Sequence, residues 1–255
     1  NLEYAESIDG KKIPIVLISY KYSKAKKSPL FLTTYGGGGS FYKPSFNAEI
    51  LPLLVRGITV GYALIRGGGE TGINDIIDSY GKNQILNAED FAFCAKYLIK
   101  KKYTNSESLF AYGKSFGGMI LAYSLVKYPS LFKAMILDVP ACDLLTDLSD
   151  STLNENKYDY HVLGSPYVNE EYQVLRKIDA YQNIVAQDYP NLLFFGAMKD
   201  INVKPSASIK MVAKLREHKT DDNLLLLRVS LKSGHLPAEG IMRQQTSMMY
   251  AFIFS

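Results

Sequence analysis

Hydrophobic and polar positions follow two periodicities along most of the chain, and together they predict strands that alternate with helices. Short runs rich in β-branched and aromatic residues have the length and composition of buried strands, whereas apolar residues every three or four positions indicate helices. The predicted strands are 13–22, 30–35, 58–65, 109–112, 134–139, 192–197 and 224–231. The predicted helices are 46–55, 87–101, 116–127, 206–218 and 241–254.

The order of these elements predicts an α/β protein with a mostly parallel central sheet and helices on both faces. The turn signal Asp9-Gly10 precedes the first predicted strand, so we expect an antiparallel hairpin at one edge of the sheet. Segment 144–189 is polar and lacks clean periodicity, and we expect it to be an irregular excursion from the sheet. Because the chain contains no internal repeat or linker, we expect residues 1–255 to form one domain.

The overall composition is that of a globular protein and excludes several classes of function. Of the 255 residues, 47% are hydrophobic and 21% are charged, and a chain of this length can form one large α/β domain or two small ones. The 29 basic and 25 acidic side chains leave a net charge of +4, too dilute to indicate a nucleic-acid partner. We interpret the lysine-rich run 21–27 as a solvated loop. Apolar stretches fall far short of the roughly 20 residues that a membrane-spanning helix needs, so we expect no membrane partner.

The cysteines and the first residues indicate the setting of the protein. Cys94 and Cys142 are too few for a disulfide framework and lack the spacing of a zinc site, so we expect no metal and a reducing, cytoplasmic location. The first residues are polar and do not resemble a signal peptide. Since Asn1 is not methionine, we expect a processed or truncated piece of a longer chain.

The segment from Gly113 to Gly117 carries the main chemical signal, a Gly-x-Ser-x-Gly pattern between a predicted strand and a predicted helix. Such a turn is tight enough to strain the serine, and glycines two positions before and after it avoid collision between strand and helix. Ser115 would then project at the carboxyl edge of the sheet, and the Phe116 N–H would face a developing oxyanion. The alternative is a glycine-rich turn without a nucleophile.

A hydrolase of this kind needs an acid and then a histidine later in the chain, each on a loop after a strand. Of the three histidines, His218 lies at a charged helix end and His161 lies in the irregular segment. Only His235 follows a predicted strand on a loop, Lys232-Ser233-Gly234, that can return an imidazole to the serine.

Asp200 is the predicted acid because it follows the strand 192–197 in the same way. In this arrangement Asp200 holds the imidazole of His235 in one tautomer, His235 takes the hydroxyl proton of Ser115, and Ser115 attacks an acyl carbon. Water then releases the acid from the acyl-enzyme. The competing acids follow the strand next to the nucleophile and are Asp138, Asp143 and Asp147.

Other glycine-rich segments offer alternatives. Residues 67–72 satisfy Gly-x-Gly-x-x-Gly after a strand, so a dinucleotide site is a formal alternative, although no helix opens cleanly at Gly72 and no suitably spaced acid follows a second strand. A phosphate-binding loop is excluded because Ser108 stands where it needs glycine. Residues 36–39 could expose N–H groups to an oxyanion, or could simply be flexible.

Taken together, these motifs resemble the catalytic domain of the prolyl oligopeptidase family of serine peptidases. The resemblance implies the α/β-hydrolase fold, a triad of Ser115, Asp200 and His235, no cofactor, and an oxyanion hole formed by the Tyr35 hydroxyl and the Phe116 N–H. The motifs that carry it are Tyr35-Gly36-Gly37, Pro44-Ser45-Phe46, Arg66-Gly67-Gly68-Gly69-Glu70, Gly72, 113–118, Cys142-Asp143-Leu144-Leu145, Asp200 and Ser233-Gly234-His235.

Segments 189–191 and 215–223 further resemble the oligopeptidase B branch of this family, whose members cut after basic residues. That branch has a Glu-Trp pair that supplies a carboxylate for a basic side chain, and Asp159-Tyr160 looks like a version of it. The resemblance therefore implies that Asp159 binds Arg or Lys of a short peptide substrate. The alternative is a solvated acid on a loop.

The sequence also departs from the family pattern. The family has an arginine shortly after the triad acid that helps to hold the peptide backbone, and Asn202 stands in that region here. The chain has no tryptophan, so the ring that packs on proline in proline-specific members is absent, with Tyr160 as its nearest candidate. The β-propeller that precedes this domain in the family is not encoded, and we expect it to be a partner in the full-length protein.

Three other functions stay open at this point. An esterase or acyl-peptide hydrolase would use the same fold and triad on another acyl group. A catalytically impaired member, kept as an interaction module, is suggested by Asn202 and the missing tryptophan. A dinucleotide-binding oxidoreductase is the most distant alternative.

Overall fold

A single sheet of eight strands runs through the part of the chain that the structure, a computed structural model, describes: residues 1–20, 28–150 and 156–255. The lysine-rich run 21–27 that we predicted to be a solvated loop lies outside these residues. The strands are β1 (Leu2–Glu6), β2 (Lys12–Ile18), β3 (Leu30–Thr33), β4 (Thr59–Ala63), β5 (Leu109–Lys114), β6 (Ala134–Asp138), β7 (Asn191–Ala197) and β8 (Leu225–Ser230).

The strands lie side by side in the order β1-β2-β4-β3-β5-β6-β7-β8. β1 and β2 form an antiparallel hairpin, and β2 pairs antiparallel with β4. Every other neighbouring pair in this sheet is parallel. The predicted mostly parallel sheet with an amino-terminal hairpin at its edge is therefore confirmed.

Helices cover both faces of the sheet. Their bounds are α1 (Leu51–Leu54), α2 (Ile73–Ile77), α3 (Gln84–Lys100), α4 (Phe116–Lys127), α5 (Leu144–Leu148), α6 (Asn156–Leu163), α7 (Asn169–Ile178), α8 (Pro205–His218) and α9 (Glu239–Phe254).

Alternate residues of the central strands enter two separate cores because successive side chains of a strand point to opposite faces. Met135 and Leu137 of β6 join a core with buried residues of α3, α4 and α8. Ala134 and Ile136 of the same strand join a second core with residues of α1 and α9. All five residues of β6 are buried, as expected for a parallel strand covered on both sides.

The helix predicted over 46–55 is much shorter in the structure. A 3-10 turn covers Ala48–Ile50, and α1 covers only Leu51–Leu54. The reason is Pro52, which has no N–H for the carbonyl of residue 48 and whose ring would collide with that carbonyl in a longer helix.

The prediction that 144–189 is irregular was wrong, because α5, α6 and α7 all lie in this segment. These helices are hard to recognise because they are short and bury few side chains. α7, for example, buries only Leu175 and Ile178 and carries charged residues elsewhere. The segment is a helical excursion between β6 and β7, and part of it forms one wall of the candidate site.

Candidate active site

The connection between β5 and α4 places Ser115 in a strained turn. β5 ends at Lys114 and α4 begins at Phe116, so one residue reverses the chain. Ser115 has φ 55° and ψ −117°, a conformation that non-glycine residues rarely adopt. Its N–H donates to the carbonyl of Asp138 at the end of β6 (2.8 Å), which ties the turn to the neighbouring strand.

The glycines around Ser115 are required by close backbone packing. A Cβ atom on Gly113 would lie 2.3 Å from the Gly117 carbonyl oxygen, and one on Gly117 would lie 2.4 Å from the Thr34 carbonyl oxygen. A Cβ atom on Gly118 would meet Pro140 Cα at 2.8 Å. Both glycines of the Gly-x-Ser-x-Gly pattern thus let the strand, the helix and the loop after β3 approach one another around the serine.

Three side chains meet at the carboxyl edge of the sheet. The Nε2 atom of His235 lies 2.9 Å from the Oγ of Ser115, and its Nδ1 lies 2.8 Å from Oδ2 of Asp200. Asp200 follows β7 and His235 follows β8, as predicted. The two loops are joined because the Lys199 N–H donates to the Ser233 carbonyl (3.0 Å).

The carboxylate of Asp200 is buried and kept ionised by directed hydrogen bonds. Its Oδ1 accepts the N–H groups of Asn202 and Val203, both at 2.9 Å, and its Oδ2 faces His235. Burial by itself would raise the pKa of Asp200, but the bonds from His235, Val203 and Asn202 outweigh burial and hold the pKa below its usual range. The site therefore presents a fixed anion to the imidazole.

A cleft of about 290 Å³ opens beside Ser115. It is large enough for a single substrate side chain and adjacent backbone. Its lining residues are Tyr35, Gly37, Gly38, Ser40, Ser115, Phe116, Met119, Ala141, Leu144, Asp147, Leu148, Asp159, Val162, Leu163, Asn202 and Val203.

Tyr35 and Phe116 lie together in this cleft, where an oxyanion would need donors. Tyr35 follows β3, and its ring centroid is 6.2 Å from that of Phe116. Phe116 is the first residue of α4, so its N–H has no acceptor within the helix, and the positive end of the helix dipole lies at this point.

A sequence profile of the prolyl oligopeptidase family, Peptidase_S9, matches residues 44–255. The chain belongs to this family of peptidases. Protease 2 of Moraxella lacunata is 30% identical over 253 residues, which cover 98% of this chain and 37% of that protein. Dipeptidyl aminopeptidase BI of Pseudoxanthomonas mexicana is 30% identical over 254 residues, which cover 98% of this chain and 35% of that protein.

Solved structures of peptidases from this family have the same fold as this chain. Oligopeptidase B from Leishmania major matches with a TM-score of 0.96 at 29% identity, over 99% of this chain and 36% of its own. Oligopeptidase B from Trypanosoma brucei with covalently bound antipain matches with a TM-score of 0.92 at 30% identity, over 99% of this chain and 37% of its own. The predicted family and α/β-hydrolase fold are confirmed, and the chain spans little more than a third of these relatives.

The residues that the family resemblance assigned to substrate binding occupy different places. Asp159, on α6, and Asn202, two residues after Asp200, both line the cleft and are exposed. Tyr160 is not among the described residues that line it. Its hydroxyl donates to the carbonyl of Leu148 (2.7 Å), and its ring contacts Tyr167 edge to face.

The three competing acids have other partners or positions. Asp138 is buried and accepts the Tyr112 hydroxyl (3.1 Å), and burial raises the pKa of its carboxyl. Asp143 forms an ion pair with Lys210. Asp147, a candidate triad acid by sequence, lies in the wall of the cleft instead.

The other two histidines lie in different surroundings from His235. The ring of His161 contacts Tyr80, with centroids 5.3 Å apart. The Nδ1 of His218 lies 2.9 Å from the Lys214 carbonyl oxygen, inside its own helix.

The second glycine-rich segment supports the loop that carries Tyr35. The Gly39 N–H donates to the Gly67 carbonyl (2.9 Å), and the Gly69 N–H donates to the Ser40 carbonyl (3.2 Å). Gly67 has φ 84°, and a Cβ atom there would lie 2.5 Å from the Gly36 carbonyl oxygen. The helix that follows, α2, has only five residues. These contacts give the Gly-x-Gly-x-x-Gly run a structural explanation in place of a dinucleotide site.

Arg66, directly before this run, has a role that the sequence analysis did not identify. Its Nε donates to Asp90 Oδ2 (2.7 Å), and its two terminal nitrogens donate to Asp9 (2.7 and 2.9 Å). The guanidinium therefore joins the hairpin turn, the glycine run and α3. In the sequence, Arg66 is a single arginine between a predicted strand and a glycine run, and this local pattern does not identify aspartates that are distant along the chain.

Among residues 1–20, 28–150 and 156–255, no three His, Cys, Asp or Glu side chains converge as metal ligands. No helix there has both the length and the apolar character that crossing a membrane requires.

Proposed function

We propose that this chain is the catalytic domain of a serine-type oligopeptidase that hydrolyses peptide bonds of short peptides. The observation that carries the proposal is the hydrogen-bonded line from Ser115 through His235 to the buried carboxylate of Asp200, at the mouth of a cleft. Membership of a peptidase family favours a peptide over another acyl substrate.

In the proposed reaction, His235 Nε2 takes the hydroxyl proton of Ser115 while Oγ bonds to the carbonyl carbon of the substrate. The tetrahedral intermediate collapses when His235 gives that proton to the leaving nitrogen and the C–N bond breaks. Water, activated by the same imidazole, then adds to the acyl-enzyme, and the acid leaves as the Ser115 hydroxyl is restored. Asp200 stays ionised throughout and stabilises the imidazolium.

The proposed oxyanion hole consists of the Phe116 N–H and the Tyr35 hydroxyl. An amide at a helix amino terminus and a phenol on a supported loop are fixed donors, which need no reorganisation when negative charge develops on the carbonyl oxygen. Both residues line the cleft beside Ser115.

We further propose that the enzyme cuts after Arg or Lys. Asp159 supplies a carboxylate to the wall of the cleft, where a guanidinium or ammonium group would form a charge-assisted hydrogen bond. Asn202 is near enough to the triad acid to offer its amide to the substrate backbone in place of the arginine that the family carries. Similarity to two structures of oligopeptidase B supports this specificity.

The domain organisation is also a proposal. We propose that residues 1–255 act as one domain beside an amino-terminal β-propeller that admits only short peptides. The relatives are nearly three times as long as the matched region, which leaves room for such a domain. Cys94 and Cys142 are buried, unpaired thiols, consistent with the cytoplasmic location that we propose.

The test is covalent labelling of the complete protein with a fluorophosphonate probe, followed by fluorogenic peptides ending in Arg, Lys or Pro. We expect Ser115→Ala to abolish labelling and to lower turnover by at least about a thousandfold. Ser206→Ala, which removes an exposed hydroxyl on α8, is the matched control and should behave as the parent. Labelling that persists in Ser115→Ala, or a folded protein that turns over none of the peptides, would refute the proposal.

A further inference from the structure

The short helix α5 presents a second acid to the cleft. Leu144, Asp147 and Leu148 all line it, as their spacing of three and four positions requires for one helical face. The side chain of Asp147 is half-buried, whereas that of Asp159, on α6, is exposed. Two carboxylates from different helices therefore face the space beside Ser115.

Within the described part of the chain, the carboxylate of Asp147 has no dedicated partner, whereas Asp143 and Asp150 each pair with a lysine. Among the described residues, no side chain or backbone N–H donates a hydrogen bond to it, and its interactions there are burial and longer-range charge effects. The two lysines whose charges act on the Asp147 carboxylate are engaged elsewhere, since Lys210 pairs with Asp143 and Lys204 pairs with Asp150. A half-buried anion without a bonded cation is unfavourable, and a cationic ligand would relieve that cost.

We propose that Asp147 is a specificity-determining residue, whose carboxylate works with Asp159 to bind a guanidinium group of the substrate in the cleft beside Ser115. This inference rests on the proposed peptidase function. A guanidinium has five N–H donors in a planar fork and can serve two carboxylates, whereas an ammonium is a compact charge with three donors. The second acid should therefore favour arginine over lysine.

The charges around Asp147 also make its ionisation depend on pH. Burial and the neighbouring carboxylates of Asp143 and Asp179 raise the pKa of Asp147 to about 6, against the opposing influence of Lys204 and Lys210. Asp159 adds a further negative charge to the lining of the same cleft. Below pH 6 the Asp147 carboxyl becomes neutral and can no longer attract a cation. The preference for arginine over a neutral side chain of the same shape should therefore increase as the pH rises from 5 to 7.5.

The first test compares two peptide substrates that differ only in having arginine or its neutral isostere citrulline before the scissile bond. With the complete protein, the ratio of kcat/KM for arginine over citrulline should fall about 10- to 100-fold in Asp147→Asn, the range expected for one charged hydrogen bond. In Asp147→Asn, this ratio should also lose most of the increase that the parent shows between pH 5 and pH 7.5. Asp222→Asn removes an exposed acid after α8 and is the matched control.

A second measurement does not depend on turnover. In the Ser115→Ala protein, calorimetric binding of acetyl-arginine amide should be about tenfold weaker when Asp147→Asn is added, and the difference should shrink at pH 5. An unchanged arginine-to-citrulline ratio together with unchanged binding would overturn the role of Asp147. Absence of fluorophosphonate labelling and of all peptide turnover would refute the proposed function instead, and the binding measurement would still decide whether Asp147 recognises the cation.

Discussion

At the level of single residues, the aspartates near the site differ in ionisation because their partners differ. Asp200 is buried yet receives three hydrogen bonds, which keep its pKa low. Asp138 is equally buried, but it accepts only the hydroxyl of Tyr112, and the ammonium group of Lys114 is 3.9 Å away. Burial therefore raises the pKa of Asp138. Directed donors, and not depth alone, thus decide which of the two can act as a permanent anion beside His235.

The first prediction concerns Asp200→Asn. The amide can still bond to His235, but it offers no full negative charge to stabilise the imidazolium and can hold the wrong tautomer. We expect kcat to fall about 10³- to 10⁴-fold with little change in KM. Steady-state kinetics on an arginine peptide would measure the loss. Asp222→Asn provides the comparison, and a loss of less than tenfold in Asp200→Asn would argue against a triad.

The second prediction concerns the stability of Asp147→Asn. The pKa of Asp147 is about 6 in the folded protein, whereas its ordinary value is 3.8. Between these two pH values the folded state keeps the proton and the unfolded state loses it. The free energy of unfolding therefore declines as the pH rises from 4 to 6. Asparagine removes that decline. After allowance for solvent at a half-buried position, we expect the variant to be about 1–2 kcal/mol more stable than the parent at pH 7.5.

Urea unfolding at pH 4 and pH 7.5 measures this difference. At pH 4 the two proteins should be nearly equal, because the Asp147 carboxyl is then largely protonated in the folded state. Asp222→Asn should alter stability little at either pH. A variant that is less stable than the parent at pH 7.5 would show that the Asp147 carboxylate has a stabilising partner.

At the level of elements, the turn around Ser115 was predictable because its constraints are local. The bounds predicted for α4 match the observed Phe116–Lys127, since Gly113 and Gly117 define where strand and helix must meet. The site loops were predictable for a related reason: Asp200 and His235 each follow a strand with a clear apolar run.

Other features depend on contacts between distant parts of the chain and could not be read locally. Arg66 joins Asp9 and Asp90, which are 57 and 24 residues away, and no local pattern identifies such partners. The place of Asp147 in the cleft depends on α5 forming at all, and this five-residue helix was missed in a polar segment. The position of Tyr160 outside the cleft lining likewise depends on how α6 packs.

The third prediction tests the turn as a unit. In Gly117→Ala the added methyl would lie 2.4 Å from the Thr34 carbonyl oxygen and 3.2 Å from Tyr35 Cα, so α4 or the loop after β3 must move. We expect a loss of about 2–4 kcal/mol in unfolding free energy and loss of fluorophosphonate labelling.

Gly240→Ala is the matched control for this substitution. Gly240 lies in α9, and a Cβ atom there meets nothing within 4 Å. Alanine in an open helical position should stabilise the protein by about 0.5–1 kcal/mol and leave labelling intact. Normal labelling in a folded Gly117→Ala protein would mean that the turn tolerates displacement and that its tight packing is not needed for the site.

At the level of the whole molecule, the site is assembled from the carboxyl ends of β5, β7 and β8, which lie in one half of the sheet. Ser115 and His235 are 120 residues apart in sequence, and parallel strand order brings them together. The same edge carries large exposed apolar side chains: Ile201 is 85% exposed, Leu236 81% and Leu231 73%. Because large apolar side chains are seldom left exposed together beside a cleft, we expect this edge to be covered in the complete protein.

The last prediction follows from this edge. Produced alone, the 255-residue chain should self-associate with increasing concentration, because these three apolar side chains are largely exposed around its site. We expect the triple variant Ile201→Ser, Leu231→Ser, Leu236→Ser to shift the weight-average mass towards the monomer in light scattering. Val55→Ser, which changes a residue 65% exposed just before β4 and so near the opposite edge, should leave association unchanged. A parent chain that stays monomeric at all concentrations would mean that this edge is compatible with water and needs no covering domain.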